Sequence, residues 1–380
     1  MTTALLDQAE AYARIRLLRS PNVGPVSYVQ LLRRFGCGVA ALEALPDLAS
    51  RGGGRYSAAP VARIEAEILA VRRAGARYLF HDSPDYPPLL LQAEGAPPIL
   101  IARGDAALAA RPTVALVGAR NASAAAMKLA AMFASELSAR GFVVVSGLAR
   151  GIDGAAHKGA LGGPLAGAGE GATNEGGTIG VIAGGIDVTY PPEHADLQQE
   201  IAAQGLLLTE QPPGTEPLAR HFPARNRIIA GLAIGTVVVE AAPKSGSLIT
   251  ARLAGELGRE VMAVPGSPLD ARSHGCNQLI RDGATLVQSA DDVIEALSDF
   301  HGAPQLRLRE PVAEPLPIAE AGDYVPINII GLLNTAPVGV DDLIRLSGAS
   351  PGVVQMALLE LELAGQLMRH AGGRVSLDQR

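Results

Sequence analysis

The stretch "VVVSGLARGIDGAAH", residues 143–157, has a short apolar run that ends in a glycine-spaced turn and continues into a helical pattern. Such a run, followed by turn signals, is typical of a strand that is buried on both faces of a parallel sheet. A P-loop would carry a lysine and a Ser or Thr after its second glycine. This turn carries Arg150 and Asp153 instead. The stretch therefore predicts a strand, a turn and a helix, and it leaves open which anion, if any, the turn binds.

The same alternation of short apolar runs and helical patterns continues through the middle of the chain. Seven runs are candidate strands: "TVALVGAR", "FVVVSG", "TIGVIAGG", "LLLTE", "TVVVEA", "EVMAVPG" and "TLVQ". Strands that alternate with helices predict an α/β fold with a doubly wound, mostly parallel sheet. Ligands bind such sheets at the carboxyl ends of the strands. Because glycines and polar residues follow these runs, we expect a binding site at that edge.

The segment before the sheet reads as short helices around "LLRSPNVGPVSYVQLLRRFG". Its Pro/Gly turn between two apolar-periodic segments resembles a helix-hairpin-helix, whose turn offers backbone N–H groups to phosphate. The glycine usual before the central apolar residue is Asn22 here, so a purely structural turn remains an equal alternative. We predict a small helical domain of the SAM or helix-hairpin-helix type at residues 1–75 and the α/β domain at residues 76–300.

The segment after the sheet, "HGAPQLRLREPVAEPLPIAEAGD", is rich in proline and charge, which predicts a linker at residues 301–322. Three helical segments and a strand-like end at residues 323–380 then indicate a winged helix. The third helix reads DNA in many such domains. Here it carries Glu360 and Glu362 and no Lys or Arg, which favours a protein-contact or structural role.

Composition limits the class of protein. The chain has 380 residues, of which 48% are hydrophobic, enough for a sizeable core and two or three domains. It shows neither a signal-peptide pattern nor an apolar run of about 18 residues, so we expect a cytoplasmic protein without a membrane span. Cys37 and Cys276 form neither a disulfide framework nor a zinc ligand pair. The net charge is −6, although residues 1–80 carry +5, so an anion site in the middle segment has to be a local cluster.

Enzyme motifs are scarce. The sequence lacks the Walker, H-E-x-x-H, G-x-S-x-G and C-x-x-C patterns, and its seven histidines have no metal-ligand spacing. We therefore predict no catalytic residue, no metal and no cofactor. Asp153 is interpreted as a helix N-cap. Glu240 either orients a ligand hydroxyl or holds a neighbouring loop. The segment 162–177 is interpreted as a mobile surface loop because it is of low complexity. Its formal dinucleotide-binding pattern is discounted because no strand precedes it.

Features that bind anions, by contrast, recur at the strand-to-helix turns. Glycines, hydroxyl caps and basic side chains stand where helix N-termini expose free N–H groups. Taken singly, the glycines only allow tight turns, the serines only cap helices and an arginine only pairs with an acid. Their coincidence at one sheet edge favours a basic groove, in which an aromatic ring could stack a nucleobase or else belong to the core. The candidates are Gly118, Arg120, Ser146, Gly147, Arg150, Phe222, Arg225, Asn226, Arg227, Lys244, Ser245, Ser247 and Thr250.

The ordered series "VGAR", "SGLARGIDGAAH", "YPPEHADL", "HFPARNRIIAGL", "VVVEAAPKSGSLITA" and "AVPGSPLDARSHGCNQLIRDGA" resembles the DNA-processing protein A family (DprA, also called Smf) over residues 113–290. The resemblance implies an extended Rossmann-like fold that binds and protects single-stranded DNA without catalysis. It also implies a homodimer that helps to load the RecA recombinase in natural transformation. The family's phosphate pocket falls on Gly118–Arg120, with Ala119 in place of the usual serine, and the resemblance adds Asn277 to the candidates.

Two other functions remain to be weighed. A Rossmann-like nucleotide hydrolase of the lysine-decarboxylase-like, cytokinin-activating type would have a similar fold. That class expects a "PGGxGTxxE" signature, whereas this chain has "VVVEAAPKSGSLITA". A sequence-specific regulator that reads DNA with the winged helix is disfavoured by its acidic third helix. Binding of single strands is therefore the function predicted here, and nucleotide hydrolysis is the alternative.

Overall fold

The computed structural model describes residues 6–93, 95–162, 176–298, 329–370 and 372–378. Its helices are α1 (Gln8–Leu18), α2 (Pro25–Phe35), α3 (Gly38–Arg51), α4 (Val61–Arg73), α5 (Pro88–Leu91), α6 (Ala124–Ala139), α7 (Ile152–Ala160), α8 (Ala195–Gln204), α9 (His221–Leu232), α10 (Gly246–Glu256), α11 (His274–Arg281), α12 (Ala290–Ser298), α13 (Val340–Ser347) and α14 (Pro351–Leu363). Its strands are β1 (Arg77–Phe80), β2 (Ile99–Gly104), β3 (Thr113–Val117), β4 (Val143–Ser146), β5 (Thr178–Val181), β6 (Leu206–Thr209), β7 (Gly235–Val238), β8 (Glu260–Ala263), β9 (Thr285–Leu286), β10 (Val338–Gly339), β11 (Leu367–His370) and β12 (Arg374–Leu377).

The chain divides into two compact units. One contains Glu67–Gln305, and the other combines Ala4–Ala66 with Leu306–Arg380. The predicted linker at residues 301–322 and most of the segment 162–177 lie outside the described residues, so the predicted domain boundaries stay predictions. Across the described ranges, the helices are all too short or too polar to cross a bilayer.

The first unit is built on a nine-stranded sheet in the order β1-β2-β6-β5-β4-β3-β7-β8-β9. Strands β3 to β9 run parallel and correspond to the seven predicted strands, so the doubly wound α/β prediction is confirmed. The sequence did not reveal β1 and β2, which pair antiparallel at one edge. Short apolar runs such as theirs cannot be told from helical segments by periodicity alone.

The sheet has helices on both faces. The side chains of β3 alternate, so that Val114 and Leu116 pack with α6 and α7 while Ala115 and Val117 pack with α9 and α10. Strand β3 lies between β4 and β7, and the order of strands reverses there. Helices on either side of such a reversal diverge and leave a crevice outside the carboxyl ends of the strands. The topology therefore positions a site at the ends of β3, β4 and β7.

Helices α6 and α7 cross closely beside the sheet. A Cβ atom built on Gly159 of α7 would lie 2.2 Å from the carbonyl oxygen of Ala131 in α6. That separation is far below contact distance, and the obstructing atom belongs to the backbone, which cannot rotate away. The absence of a side chain at Gly159 therefore sets the distance between the two helices.

His157 of α7 is fully buried beneath the sheet edge. The Thr178 hydroxyl donates to the Val144 carbonyl over 2.8 Å, so its oxygen accepts from Nδ1–H of His157, also over 2.8 Å. This network assigns the neutral Nδ1–H tautomer. Burial lowers the pKa of His157 from its usual 6.5 to about 3, and the nearby charges of His194 and Arg225 act in the same direction.

The second unit contains the N-terminal helices and the winged helix, which confirms the two flanking domains of the predicted fold. Helices α1 and α2 both pack on α3, and the turn between α1 and α2 holds Asn22 at φ 60°. Asn tolerates this left-handed conformation better than most residues, which explains how it replaces a glycine. In the winged helix, α13 and α14 accompany the sheet β10-β12-β11. The described part of the predicted first helix is a 3₁₀ turn, Ile330–Leu332.

The crossing of α6 and α7 can be tested by a matched pair of substitutions. Gly159→Ala places a methyl group against the Ala131 carbonyl, and we expect it to lower the free energy of unfolding by about 1–3 kcal/mol. Gly255→Ala, at an exposed helical position whose new Cβ would make only an ordinary 3.8 Å contact, should raise it by about 0.5–1 kcal/mol. Urea unfolding measures both values. Equal effects of the two substitutions would contradict the close crossing.

The buried imidazole predicts a pH dependence of stability. The folded pKa of His157 lies below the unfolded value, so its contribution is complete above pH 6.5 and is lost as the pH falls toward 3. Over that window the unfolded chain binds a proton that the folded chain does not, which costs up to about 1.4 kcal/mol per pH unit. His157→Gln should remove this part of the slope. Urea unfolding of both proteins between pH 7 and 4 measures it, and parallel curves would contradict the assignment.

Candidate functional site

Two adjoining cavities lie at the reversal of strand order, beyond the carboxyl ends of β3, β4 and β7. The first has a volume of about 280 Å³ and the second of about 530 Å³. The wall between them includes Arg120, Ala149, Phe222 and Arg225, which line both cavities. The two cavities are therefore compartments of one cleft, and the wall between them carries basic and aromatic side chains.

The turn after β4 is shaped by a buried guanidinium. A Cβ on Gly147 would lie 1.3 Å from Nη1 of Arg225, so only glycine leaves room for that side chain. Leu148 follows in the left-handed region of backbone conformation, at φ 55°, which is rare for residues other than Gly, Asn and Asp. The ring of His194 donates from Nδ1 to the Leu148 carbonyl over 3.1 Å and so holds the unusual turn. Gly147, the first glycine of the glycine-spaced turn noted in the sequence, is therefore required for the contact with Arg225.

The start of α7 corrects the interpretation of Asp153. The N-cap is Gly151, at φ 72°, and a Cβ there would lie 2.3 Å from the Ala119 carbonyl oxygen. Asp153 lies inside the first turn, 7% exposed, with Oδ2 3.9 Å from Nη1 of Arg225. Burial raises the pKa of Asp153 and lowers that of Arg225, and their mutual attraction opposes both changes. The carboxylate is therefore the counter-ion of a buried arginine rather than a cap.

Two side chains of the wall between the cavities, Arg120 and Phe222, contact each other, and Tyr190 of the first cavity packs against Phe222. The guanidinium carbon of Arg120 lies 4.5 Å from the ring centroid of Phe222, a cation–π contact. The ring of Tyr190 also contacts Phe222, with the ring centroids 5.8 Å apart and the ring planes at 56°. Phe222 is only partly buried and Arg120 is exposed. The ring is therefore not a core residue, and it fixes an exposed cation at the mouth of the cleft.

The second cavity lies at the N-terminus of α10 and carries several polar side chains on its wall. Ser245 caps the helix by accepting from the Ser247 N–H, and Asn226 holds the first turn by donating to the Gly246 carbonyl over 3.2 Å. Lys244 lines the same cavity and is exposed. A helix N-terminus with free N–H groups, hydroxyls and a lysine attracts an anion.

The structure brings most of the predicted site residues together. On one or both cavities lie Gly118, Arg120, Gly147, Arg150, Phe222, Arg225, Asn226, Lys244, Ser245, Ser247 and Thr250. Arg150 is exposed and pairs with Glu193, so an anion at this rim has to compete with that carboxylate. The guanidinium of Arg225 also donates to the Val181 carbonyl over 3.3 Å. Arg225 therefore supports the cleft more than it faces a ligand.

Three predicted residues do not line the cavities. Ser146 is buried, and its hydroxyl donates to the Leu116 carbonyl over 2.6 Å. Arg227 turns away to pair with Glu210 and to donate to a backbone carbonyl. The Asn277 side chain is bonded to both the N–H and the carbonyl of Gly266. These side chains stabilise strand ends and loops, which their spacing in sequence could not distinguish from ligand contacts.

Sequence reasoning missed Tyr190 and left Glu240 open. Tyr190 is the first residue of "YPPEHADL". An aromatic residue that follows a strand and precedes two prolines is the signal that could have identified it. Glu240 accepts from the Ser123 N–H over 3.0 Å and from the Ser123 hydroxyl over 2.7 Å. Ser123 in turn caps α6. Glu240 thus holds the neighbouring loop, one of its two predicted roles.

The fold and the cleft define a class of protein: a Rossmann-like α/β protein with a cleft at the strand-order reversal that contains a helix N-terminus, exposed cations and a partly buried aromatic ring. Family comparison agrees. Residues 77–298 match the family model of DNA recombination-mediator protein A, residues 8–70 match a DprA-like N-terminal HHH domain, and residues 313–373 match a DprA winged helix domain. The chain belongs to the DprA family, also called Smf, and its function class is DNA processing in recombination.

Individual relatives are similar over most of the chain. Protein Smf of Escherichia coli is 37% identical over 342 residues, which cover 87% of this chain and 85% of that protein. The crystal structure of DprA from Streptococcus pneumoniae matches with a TM-score of 0.62 at 36% identity, over 77% of this chain and 98% of that one. A DprA structure from Helicobacter pylori, described for its single-stranded DNA binding mode, has a TM-score of 0.51 at 28% identity, over 60% and 98% of the two chains.

Proposed function

We propose that this protein binds single-stranded DNA in the cleft without catalysing a reaction on it. In this proposal a phosphate occupies the second cavity, at the N-terminus of α10, and a neighbouring base stacks on Phe222 from the first cavity. The observation that carries the proposal is the stack of Arg120 on Phe222 at 4.5 Å, because it joins a cation and an aromatic face at the border of the two compartments. Single strands are bound by this combination of charge and stacking.

The charges around the cleft support a local site on an acidic protein. Arg120 and Lys244 are exposed cations on the second cavity. The buried Arg225 is offset by Asp153, so the net positive charge that a strand meets comes from the exposed pair and the helix terminus. Affinity is therefore expected to depend on salt through a few phosphate contacts rather than through the net charge of −6.

The cellular role of this binding is proposed from the family to which the chain belongs. We propose that the protein protects incoming single strands and helps to load RecA in natural transformation, and that it acts as a homodimer. Support comes from membership of a family of recombination mediators and from the relative described for binding single-stranded DNA. A cytoplasmic location is part of the same expectation.

Nucleotide hydrolysis is the alternative that the site disfavours. Glu240 is engaged by Ser123, and Asp153 is engaged by Arg225, so neither carboxylate faces the cleft as an unpaired base. Among the described residues, acidic, histidine and cysteine side chains form no cluster that could hold a metal ion. Because both carboxylates are engaged by other side chains, we expect the cleft to bind its ligand without turning it over.

One titration series tests the function. Single-stranded and duplex oligonucleotides are titrated at several salt concentrations, with and without EDTA and ATP, beside an assay for nucleotide hydrolysis. We expect a preference for single strands that needs neither ATP nor a divalent ion, because the proposed pocket consists of protein groups only. Tight duplex preference, loss of binding in EDTA or robust nucleotide turnover would each contradict the proposal.

Arg120 and Phe222 are expected to contribute by different physics. Arg120→Ala removes one phosphate contact and should lower the salt slope of binding by about 0.7 for a single strand. Phe222→Ala removes a stacking contact of about 1–3 kcal/mol, so affinity should fall about 5- to 150-fold with little change in slope. Because the two side chains touch, the double variant should lose less than the sum of the single losses.

The control for this experiment is Arg252→Ala. Arg252 is an exposed arginine of α10 that pairs with Glu256 and lines neither cavity, so its loss should leave the salt slope unchanged. Each variant is checked by thermal unfolding, because Phe222 is partly buried. Unaltered affinity in a stably folded Phe222→Ala protein would remove stacking from the proposal, and strict additivity would remove the coupling.

A further inference from the structure

The third helix of the winged helix is buried on two sides. Val354, Leu358 and Leu361 face the core of the winged helix itself. Leu359 and Leu363 lie on another side of α14, yet each is only 1% exposed. In a winged helix that reads DNA, the side of the third helix away from the core is left open to enter a groove. In this chain that side is covered.

The N-terminal helical domain covers it. Helix α3 packs directly on α14, and the backbones approach closely where glycines allow it. A Cβ on Gly52 would lie 2.2 Å from the Glu360 carbonyl oxygen, and one on Gly54 would lie 2.8 Å from Cα of Ala364. Neither glycine has a positive φ. Close contact between the two domains, rather than backbone strain, therefore excludes a side chain at Gly52, and it admits one at Gly54 only if the two backbones separate slightly.

Polar groups complete this contact. The Asn22 amide, in the turn of the N-terminal hairpin, donates to the Leu363 carbonyl over 3.2 Å. Gln366 donates to the Gly52 carbonyl over 2.9 Å. Two side-chain pairs lie in the same contact: Gln30 with Gln355 at 2.9 Å, and Arg51 with Glu360 at 3.7 Å.

Glu360 is 2% exposed, and a carboxylate is rarely buried to that degree without a partner. We infer that the outer side of α14 is a protein-binding surface whose partner is the N-terminal helical domain of the same chain. The two ends of the chain then close into one module, and the winged helix does not offer its third helix to duplex DNA. The same contact engages the side chain of the exposed Asn22, and this bond supports the alternative that the hairpin turn is structural.

A disulfide can test the contact. A Cβ at position 54 would lie 2.8 Å from Cα of Ala364, so the two backbones have to separate by a few tenths of an ångström to admit it. Cβ atoms at positions 54 and 364 would lie 3.0 Å apart, slightly closer than the usual 3.5–4.5 Å of a disulfide. We therefore expect Gly54→Cys with Ala364→Cys, in a Cys37→Ser background, to form an intramolecular disulfide that speeds migration on a non-reducing gel. Gly54→Cys with Gly352→Cys is the matched control, since nothing lies within 4 Å of a Cβ at Gly352.

Each outcome decides the inference. Failure of the pair to oxidise in a folded protein, or a disulfide-linked dimer in place of the closed chain, would overturn a contact within one chain. DNA binding supplies the second arm: the closed and reduced forms should bind single-stranded and duplex oligonucleotides within about twofold of each other. A loss of about tenfold on closure, or 1.4 kcal/mol, would show that α14 serves DNA. If neither form binds DNA, the proposed function fails and the disulfide alone decides this inference.

Discussion

The cleft depends on one buried cation. The guanidinium of Arg225, on α9, lies against Gly147 at the end of β4, donates to Val181 at the end of β5, and faces Asp153 in α7. A charge buried to this degree is tolerated only when it is paired and hydrogen-bonded. The partners of Arg225 therefore fix the relative positions of two strand ends and two helices. Removing Asp153 would leave an uncompensated charge beneath the cleft.

Above this support, the exposed groups of the cleft are linked rather than independent. Arg120 stacks on Phe222, and the ring of Tyr190 packs against the same side chain. A cation held over an aromatic face loses less conformational freedom on binding than a solvated arginine does. Arg150 has a different environment, since its partner is the carboxylate of Glu193. The cleft thus contains one arginine whose orientation is fixed by an aromatic ring, Arg120, and another whose charge is paired with a carboxylate, Arg150.

Glycines allow close contact between elements in both units of the chain, including the terminal domains. Gly147 admits a guanidinium, Gly159 admits a neighbouring helix, and Gly52 admits the carbonyl of α14. In each case a side chain would collide with an atom of another element, so the glycine is required by packing. The contact of α14 with α3 also explains an acidic third helix: Glu360 lies beside Arg51, where a lysine or arginine would have met a like charge.

The sequence by itself determined the strands β3 to β9, the two flanking domains, the sheet edge that carries the cleft and most of the predicted residues that line it, because apolar periodicity and glycine-spaced turns are local signals. It did not determine which polar groups face the cleft. Ser146, Arg227 and Asn277 have the same residue types and spacing as their neighbours, and only the packing of strand ends turned them to backbone or acidic partners. The antiparallel edge strands and the contact between the two ends of the chain join residues far apart in sequence, so tertiary structure alone decided them.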